Sequence, residues 1–166
     1  LASSGPLASG QTYYLFASEI ELYPAKSDGD AWDIDESGPD IRYTMLWKGN
    51  EVFSPGKKDD SLIADWSGMK LEFNLTDLMG KEISPDKAID AARVRAEKGG
   101  YVIVEVEDVD LADDDEVGSV TIPFDELVVG KKEFSFKKTS SNAVMRVVMR
   151  TLPVNSSATD LYNLMK

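Results

Sequence analysis

The stretch Val104-Glu105-Val106-Glu107-Asp108-Val109-Asp110-Leu111-Ala112-Asp113-Asp114-Asp115-Glu116-Val117-Gly118 decides how the rest of the chain is read. Val102, Val104 and Val106 fall on one face at the two-residue period of a half-buried strand. That strand runs straight into a loop carrying Glu107, Asp108, Asp110, Asp113, Asp114, Asp115 and Glu116, seven carboxylates in ten residues with no cation among them. Such a cluster repels itself at neutral pH, and a rigid strand that delivers it to one place points to a cation as its occupant. A hard metal is the first candidate, because Asp side chains on a loop supply the roughly six to eight oxygens of a Ca2+ shell.

The rest of the charge sharpens this reading. The chain has 30 acids and 18 bases in 166 residues, a net charge of -12. Residues 27–40 hold six of the acids (Asp28, Asp30, Asp33, Asp35, Glu36, Asp40) and residues 107–116 hold seven, with no Lys or Arg in either window. The remaining 17 acids face 18 bases, so the body outside the two windows carries +1. Acidity held in two loops on a nearly neutral body is the pattern of a cation site, whereas acids kept for solubility are spread over the surface.

Composition removes other classes. Without Cys or His there are no disulfides, no thiolate or imidazole metal ligands and no Cys nucleophile. No apolar run approaches the roughly twenty residues of a membrane-spanning helix. The absence of a basic stripe, and two loops that repel phosphates, disfavour nucleic acid as a partner. The length suits one domain.

Along the chain, residues 1–12 read as a linker or processed N-terminal stub, rich in Gly, Ser and Pro. Strands are expected over Tyr13 to Tyr23, from Ile41 to Trp47, around Val52-Phe53, over Leu71 to Leu75, over Tyr101 to Glu107, over Gly118 to Pro123, over Phe134 to Phe136 and over Met145 to Met149. Leu62 to Trp66 is a further short apolar segment. Ser84-Pro85-Asp86 opens a predicted helix over 84–98, with Ile89, Ala92 and Ala96 on one face and Gly99-Gly100 as its stop. Residues 153–166 read as a C-terminal tail. About eight short strands at hairpin spacing predict an all-β, antiparallel, eight-stranded sandwich over 13–152 with one inserted helix.

These residues carry a family likeness. Asp108-Val109-Asp110, a short acidic loop, Asp115 and then Val117-Gly118-Ser119-Val120-Thr121-Ile122-Pro123 resemble the third calcium loop of C2 domains. The stretch from Asp33 or Asp35 to Asp40 is similar to the first calcium loop, although Pro39-Asp40 inverts the family's Asp-Pro order. Leu62 to Trp66 resembles the family's segment ahead of the next strand, and the likeness spans Tyr13 to Leu152. It implies a non-catalytic module that binds one to three Ca2+ through Asp33, Asp35, Asp40, Asp108, Asp110, Asp113 and Asp115, with Asp113, Asp114 and Asp115 all open for the last ligand place. It also implies docking on anionic phospholipid, with Trp32, Ile34 and Leu111 as candidate membrane contacts beside the ligands and the Lys57-Lys58, Lys131-Lys132 and Lys137-Lys138 pairs adding attraction. The alternative is a structural or protein-interaction module, calcium-stabilised or calcium-independent. The half EF-hand match at residues 33–38 fails because Thr44 stands where the closing Glu belongs.

Overall fold

Strand β6 (Tyr101–Val109) and strand β7 (Asp114–Pro123) form a long hairpin, and β6 pairs on its other edge with β2 (Ile41–Trp47). The computed structural model of the chain describes residues 5–26, 29, 38–59, 61–70, 76, 85–109 and 114–165. Strand β3 (Asn50–Phe53) completes this sheet, whose order is β3-β2-β6-β7. Lys48 (φ 53°) and Gly49 (φ 78°) turn β2 into β3, the two positive φ angles that match a tight hairpin to the strand twist.

The second sheet is built on β1 (Thr12–Leu22). One edge of β1 carries β9 (Val144–Pro153), followed by β8 (Gly130–Ser135); the other edge carries two short strands, β5 (Ala92–Arg95) against Thr12–Leu15 and β4 (Ile63–Asp65) against Glu19–Glu21. All pairings are antiparallel. The two sheets make an all-β sandwich with nine strands among the described residues. Its core takes Ile41, Tyr43 and Met45 from β2 and Val102, Val104 and Val106 from β6, each fully buried. This is the alternation legible in the sequence.

Ala17 lies on β1 between the reaches of β5 and β4, and Tyr43 substitutes for a neighbouring strand there. The phenol donates to the Ala17 carbonyl at 3.0 Å and accepts from the Ala17 N–H at 3.1 Å. Its ring packs edge-on against Trp66 at 4.8 Å between centroids. One side chain thus pins the two sheets together and satisfies two buried backbone groups.

The helix predicted over 84–98 is corrected. It is a single turn, α1 (Pro85–Ala88), and the following residues pair with β1 as β5. Ile89, Ala92 and Ala96 are buried as the helical reading required, but Val94 is buried as well, while Arg93 and Arg95 are exposed. The spacing of four between Ala92 and Ala96 fits both periods, whereas burial of Val94 between them fits only the strand; Ile89 precedes the strand, in an isolated bridge with Met69. The unpaired edge of β1 offers backbone partners that a helix would refuse, and this decides for the strand. Ser84 and the strand expected over Leu71 to Leu75 lie outside the described residues.

Both faces of β1 are covered, which explains its unbroken apolar run from Tyr13 to Ala17. A C-terminal helix, α2 (Ala158–Met165), packs on the sheet and buries Leu161 and Met165. Gly68 sits between the Phe16 ring and the Met165 carbonyl, to which its N–H donates; a Cβ there would come within 2.6 Å of Phe16.

Candidate functional site

The acidic residues gather at one end of the sandwich because of strand register. Ile41, at the start of β2, faces Asp108 near the end of β6, and Asp108 faces Asp115 near the start of β7. Asp40, Asp108 and Asp115 therefore form a row across the end of one sheet. The Asp40 N–H donates to Asp108 Oδ1 at 2.9 Å, and the Val109 N–H donates to the Asp40 carbonyl at 2.9 Å, so the chain entering β2 is clamped to the end of β6. Asp108 is buried, with 1% of its surface exposed.

Five of the seven acids read as loop residues belong to strands. β6 continues to Val109 and β7 begins at Asp114, with Glu107 opposite Glu116 and Asp108 opposite Asp115. Like charges directly opposite each other on paired strands destabilise the pairing, and each pair has a cation beside it. Arg42 binds Glu107 at 2.6 Å, and Lys26, from the end of β1, binds Asp115 at 3.3 Å. Lys57 reaches Asp40 at 3.8 Å and also pairs with Asp59.

Val117 and Gly118 make this end possible. The register shifts between Val106 and Glu107, leaving Val117 bulged out of the ladder. The freed Val117 carbonyl accepts from the Ala143 N–H at 2.9 Å, and the Ala143 carbonyl accepts from the Tyr23 N–H at 2.9 Å, tying the two sheets together beside the acids. Gly118 is packed under Asn142; a Cβ at this position would meet Asn142 Oδ1 at 2.2 Å. The Asn142 amide in turn holds the 137–144 turn, accepting from the Val144 N–H and donating to the Lys137 and Val144 carbonyls, each at 3.0 Å.

Of the residues expected to bind metal, Asp40, Asp108 and Asp115 are thus brought together. Asp33, Asp35, Asp110 and Asp113 lie outside the described residues, as do Trp32, Ile34 and Leu111. Among the described residues no group of three acids is arranged to hold one ion. The donor set in the row is nevertheless right in kind for Ca2+, since it offers only hard carboxylate oxygens. Lys26 and Lys57 were not identified from the sequence as partners of these acids. The only signal was position, Lys26 opening the first acidic stretch and Lys57 preceding Asp59-Asp60.

No family model matches the chain, and no curated protein matches its sequence. Solved structures do match its shape. A structure titled as that of a C2 domain aligns with 86% of this chain and 98% of its own at a TM-score of 0.52 and 11% identity. The C2A domain of plant Extended Synaptotagmin 1 aligns with 89% of this chain and 98% of its own, at 0.54 and 11%. The fold is that of a C2 domain. The C2A and C2B domains of Extended Synaptotagmin 2 give 0.55 and 14% identity over 92% of this chain. Human GIVD cytosolic phospholipase A2 aligns over 92% of this chain but only 19% of its own length, at a TM-score of 0.52 and 12% identity. Within the C2 fold of the present chain, no helix among the described residues is long and apolar enough to cross a membrane.

Proposed function

We propose that this C2-fold chain is a non-catalytic module that binds one to three Ca2+ through Asp33, Asp35, Asp40, Asp108, Asp110, Asp113 and Asp115, and docks on anionic phospholipid through the loaded loops. The observation carrying this reading is the row of Asp40, Asp108 and Asp115 at one end of a sheet, with both acidic stretches opening from that end. Three bound ions would bring +6 to seven liganding carboxylates, taking the cluster from -7 to -1, so that phosphate oxygens of a lipid can complete the ions' shells. Trp32, Ile34 and Leu111 are the side chains proposed to enter the interface.

The test pairs two measurements. Calcium titration by calorimetry should give saturable binding that is lost in Asp108→Asn plus Asp110→Asn, and cosedimentation with anionic vesicles should require Ca2+. No calcium heat and no cosedimentation would refute the proposal.

A second reading, a protein-interaction or structural sandwich, is favoured by one observation: Lys26 and Lys57 already stand beside Asp115 and Asp40 as counter-ions. A calcium-dependent rise in melting temperature without vesicle binding, or no calcium response with an intact fold, is its signature.

A further inference from the structure

A groove of about 500 Å³ lies at the end of the sandwich opposite the acidic row, between the segment ahead of β1 and the start of α2. Strand register fixes this placement. Tyr13, which lines the groove, faces Pro153 at one end of the β1–β9 pair, and Leu22 faces Val144 at the other, from which Lys26 reaches Asp115. The 11 residues of β1 separate the two ends, roughly 35 Å of strand. The groove is an open trough and not an enclosed cavity. Small-molecule sites enclose most of their ligand's surface, so a trough suits an extended segment of chain better.

Both sides of the groove are held by hydrogen bonds. Ahead of β1, the Val129 N–H donates to the Gly5 carbonyl at 2.9 Å and the Gly10 N–H to the Ala96 carbonyl at 2.7 Å. The Tyr13 phenol accepts from the Ala8 N–H at 2.8 Å and donates to Gln11 Oε1 at 3.2 Å. On the other side, Ser157 caps α2, its hydroxyl oxygen accepting from the Asp160 N–H at 3.2 Å and its carbonyl from the Leu161 N–H at 3.0 Å. A groove already formed spares a ligand the cost of ordering it.

The lining sets the chemistry of the occupant. Pro6, Ala8, Val129 and Pro153 give it short or ring-shaped apolar side chains. Gln11 and Asn155 add side-chain amides; the Tyr13 phenol takes the Gln11 oxygen, which leaves the amide nitrogen to donate. Asp160 is the one charged group among the described residues of the lining, and it makes no ion pair among the described residues. A polyproline II segment meets all three features. Its rings pack on the apolar lining, its carbonyls have no internal hydrogen bonds and accept from the amides, and a neighbouring Arg or Lys pairs with Asp160. Such a segment is also extended before it binds, which keeps its own ordering cost low.

We propose that this groove docks a partner protein through an extended, proline-containing segment with Arg or Lys beside the prolines. The site does not draw on the acidic end, so docking is independent of calcium and stays open while that end is engaged.

The experiment exposes the full chain, in a calcium chelator at physiological salt, to a synthetic peptide array of Pro-x-x-Pro cores with Arg or Lys at each flanking position. Matched peptides carry Gly in place of Pro at the same charge. The strongest array peptide is then titrated in solution by fluorescence anisotropy. Saturable binding that needs both the prolines and the base is the expected result. Ala8→Arg, at an exposed position of the groove, should weaken it about tenfold, and Asp160→Asn about two- to fivefold, as loss of a partly exposed ion pair does. Glu51→Gln, which removes one exposed acid on β3, should leave it unchanged. Melting temperatures confirm that each variant folds, and Asp160→Asn decides alone if Ala8→Arg does not. Absence of binding across the array overturns the proposal, as does equal binding of the glycine peptides. So does an Asp160→Asn effect no larger than that of Glu51→Gln, which would make the attraction one of net charge alone.

Discussion

Gly118→Ala tests the account of the acidic end most directly. The new methyl group would stand 2.2 Å from Asn142 Oδ1 and 3.2 Å from Asn142 Cα, so the Asn142 side chain must leave its place. Leaving breaks up to three hydrogen bonds that hold the turn before β9. Each contributes about 0.5–1.5 kcal/mol, offset in part by about 0.5–1 kcal/mol because Ala is a better strand residue than Gly. The expected net loss is about 1–3 kcal/mol, or roughly 2–12 °C in Tm for a chain of this size. Urea unfolding of the single variants and of Gly118→Ala combined with Asn142→Ala forms a double-mutant cycle. Once Asn142 is truncated, the methyl group no longer meets its amide, so the second substitution should cost much less than in the native background. A Gly118→Ala variant as stable as the parent, or strictly additive effects in the cycle, would refute the reasoning that Gly118 is required by the approach of Asn142.

Four further outcomes follow from the same structure. Tyr43→Phe removes the one group that serves both the N–H and the carbonyl of Ala17, and unfolding free energy should fall by about 2–4 kcal/mol; a loss below about 1 kcal/mol would mean that water replaces the phenol. Burial raises the Tyr43 phenol above its ordinary value, and burial together with the Asp86 carboxylate does the same for Tyr14. Both are neutral-form stabilisations, complete below the unfolded value near 10 and lost as pH rises beyond it, so absorbance at 295 nm should show two tyrosines that ionise only with alkaline unfolding. If the acidic end binds calcium as proposed, Lys26→Gln plus Lys57→Gln removes cations that would compete with the ion for Asp115 and Asp40; surface pairs of this kind contribute about 0.2–1 kcal/mol each, so calcium affinity by calorimetry should rise about 2- to 30-fold, and an unchanged affinity would show that the lysines do not oppose the ion. Gly68→Ala drives a methyl group against Phe16 and the Met165 carbonyl and should cost about 1–3 kcal/mol with loosening of α2, read as faster amide exchange at Leu161 to Met165.

Much of this molecule was legible in the linear chain, and the reason is that the signals were local. Val102, Val104 and Val106, or Ile41, Tyr43 and Met45, alternate because a pleated strand alternates, and no distant residue is needed to see it. The concentration of thirteen acids into two windows, the absence of Cys and His, and the Val117-Gly118 pair after the second window are likewise properties of neighbouring residues. What required the tertiary structure were choices made by partners far away in the chain. Ala92 to Arg95 is a strand and not a helix because β1 has an open edge there, a fact held some eighty residues upstream. The acids from Glu107 to Glu116 extend the hairpin because the register continues past the bulge at Val117, and Arg42 and Lys26 reach them from β2 and the end of β1. Gly118 is required by Asn142, and the Ala17 backbone is satisfied by Tyr43, pairs whose separation hides them from any window. Sequence pattern specifies which face of an element is apolar; which element it meets, and which charges are thereby brought together, is settled by backbone pairing and packing across the whole chain.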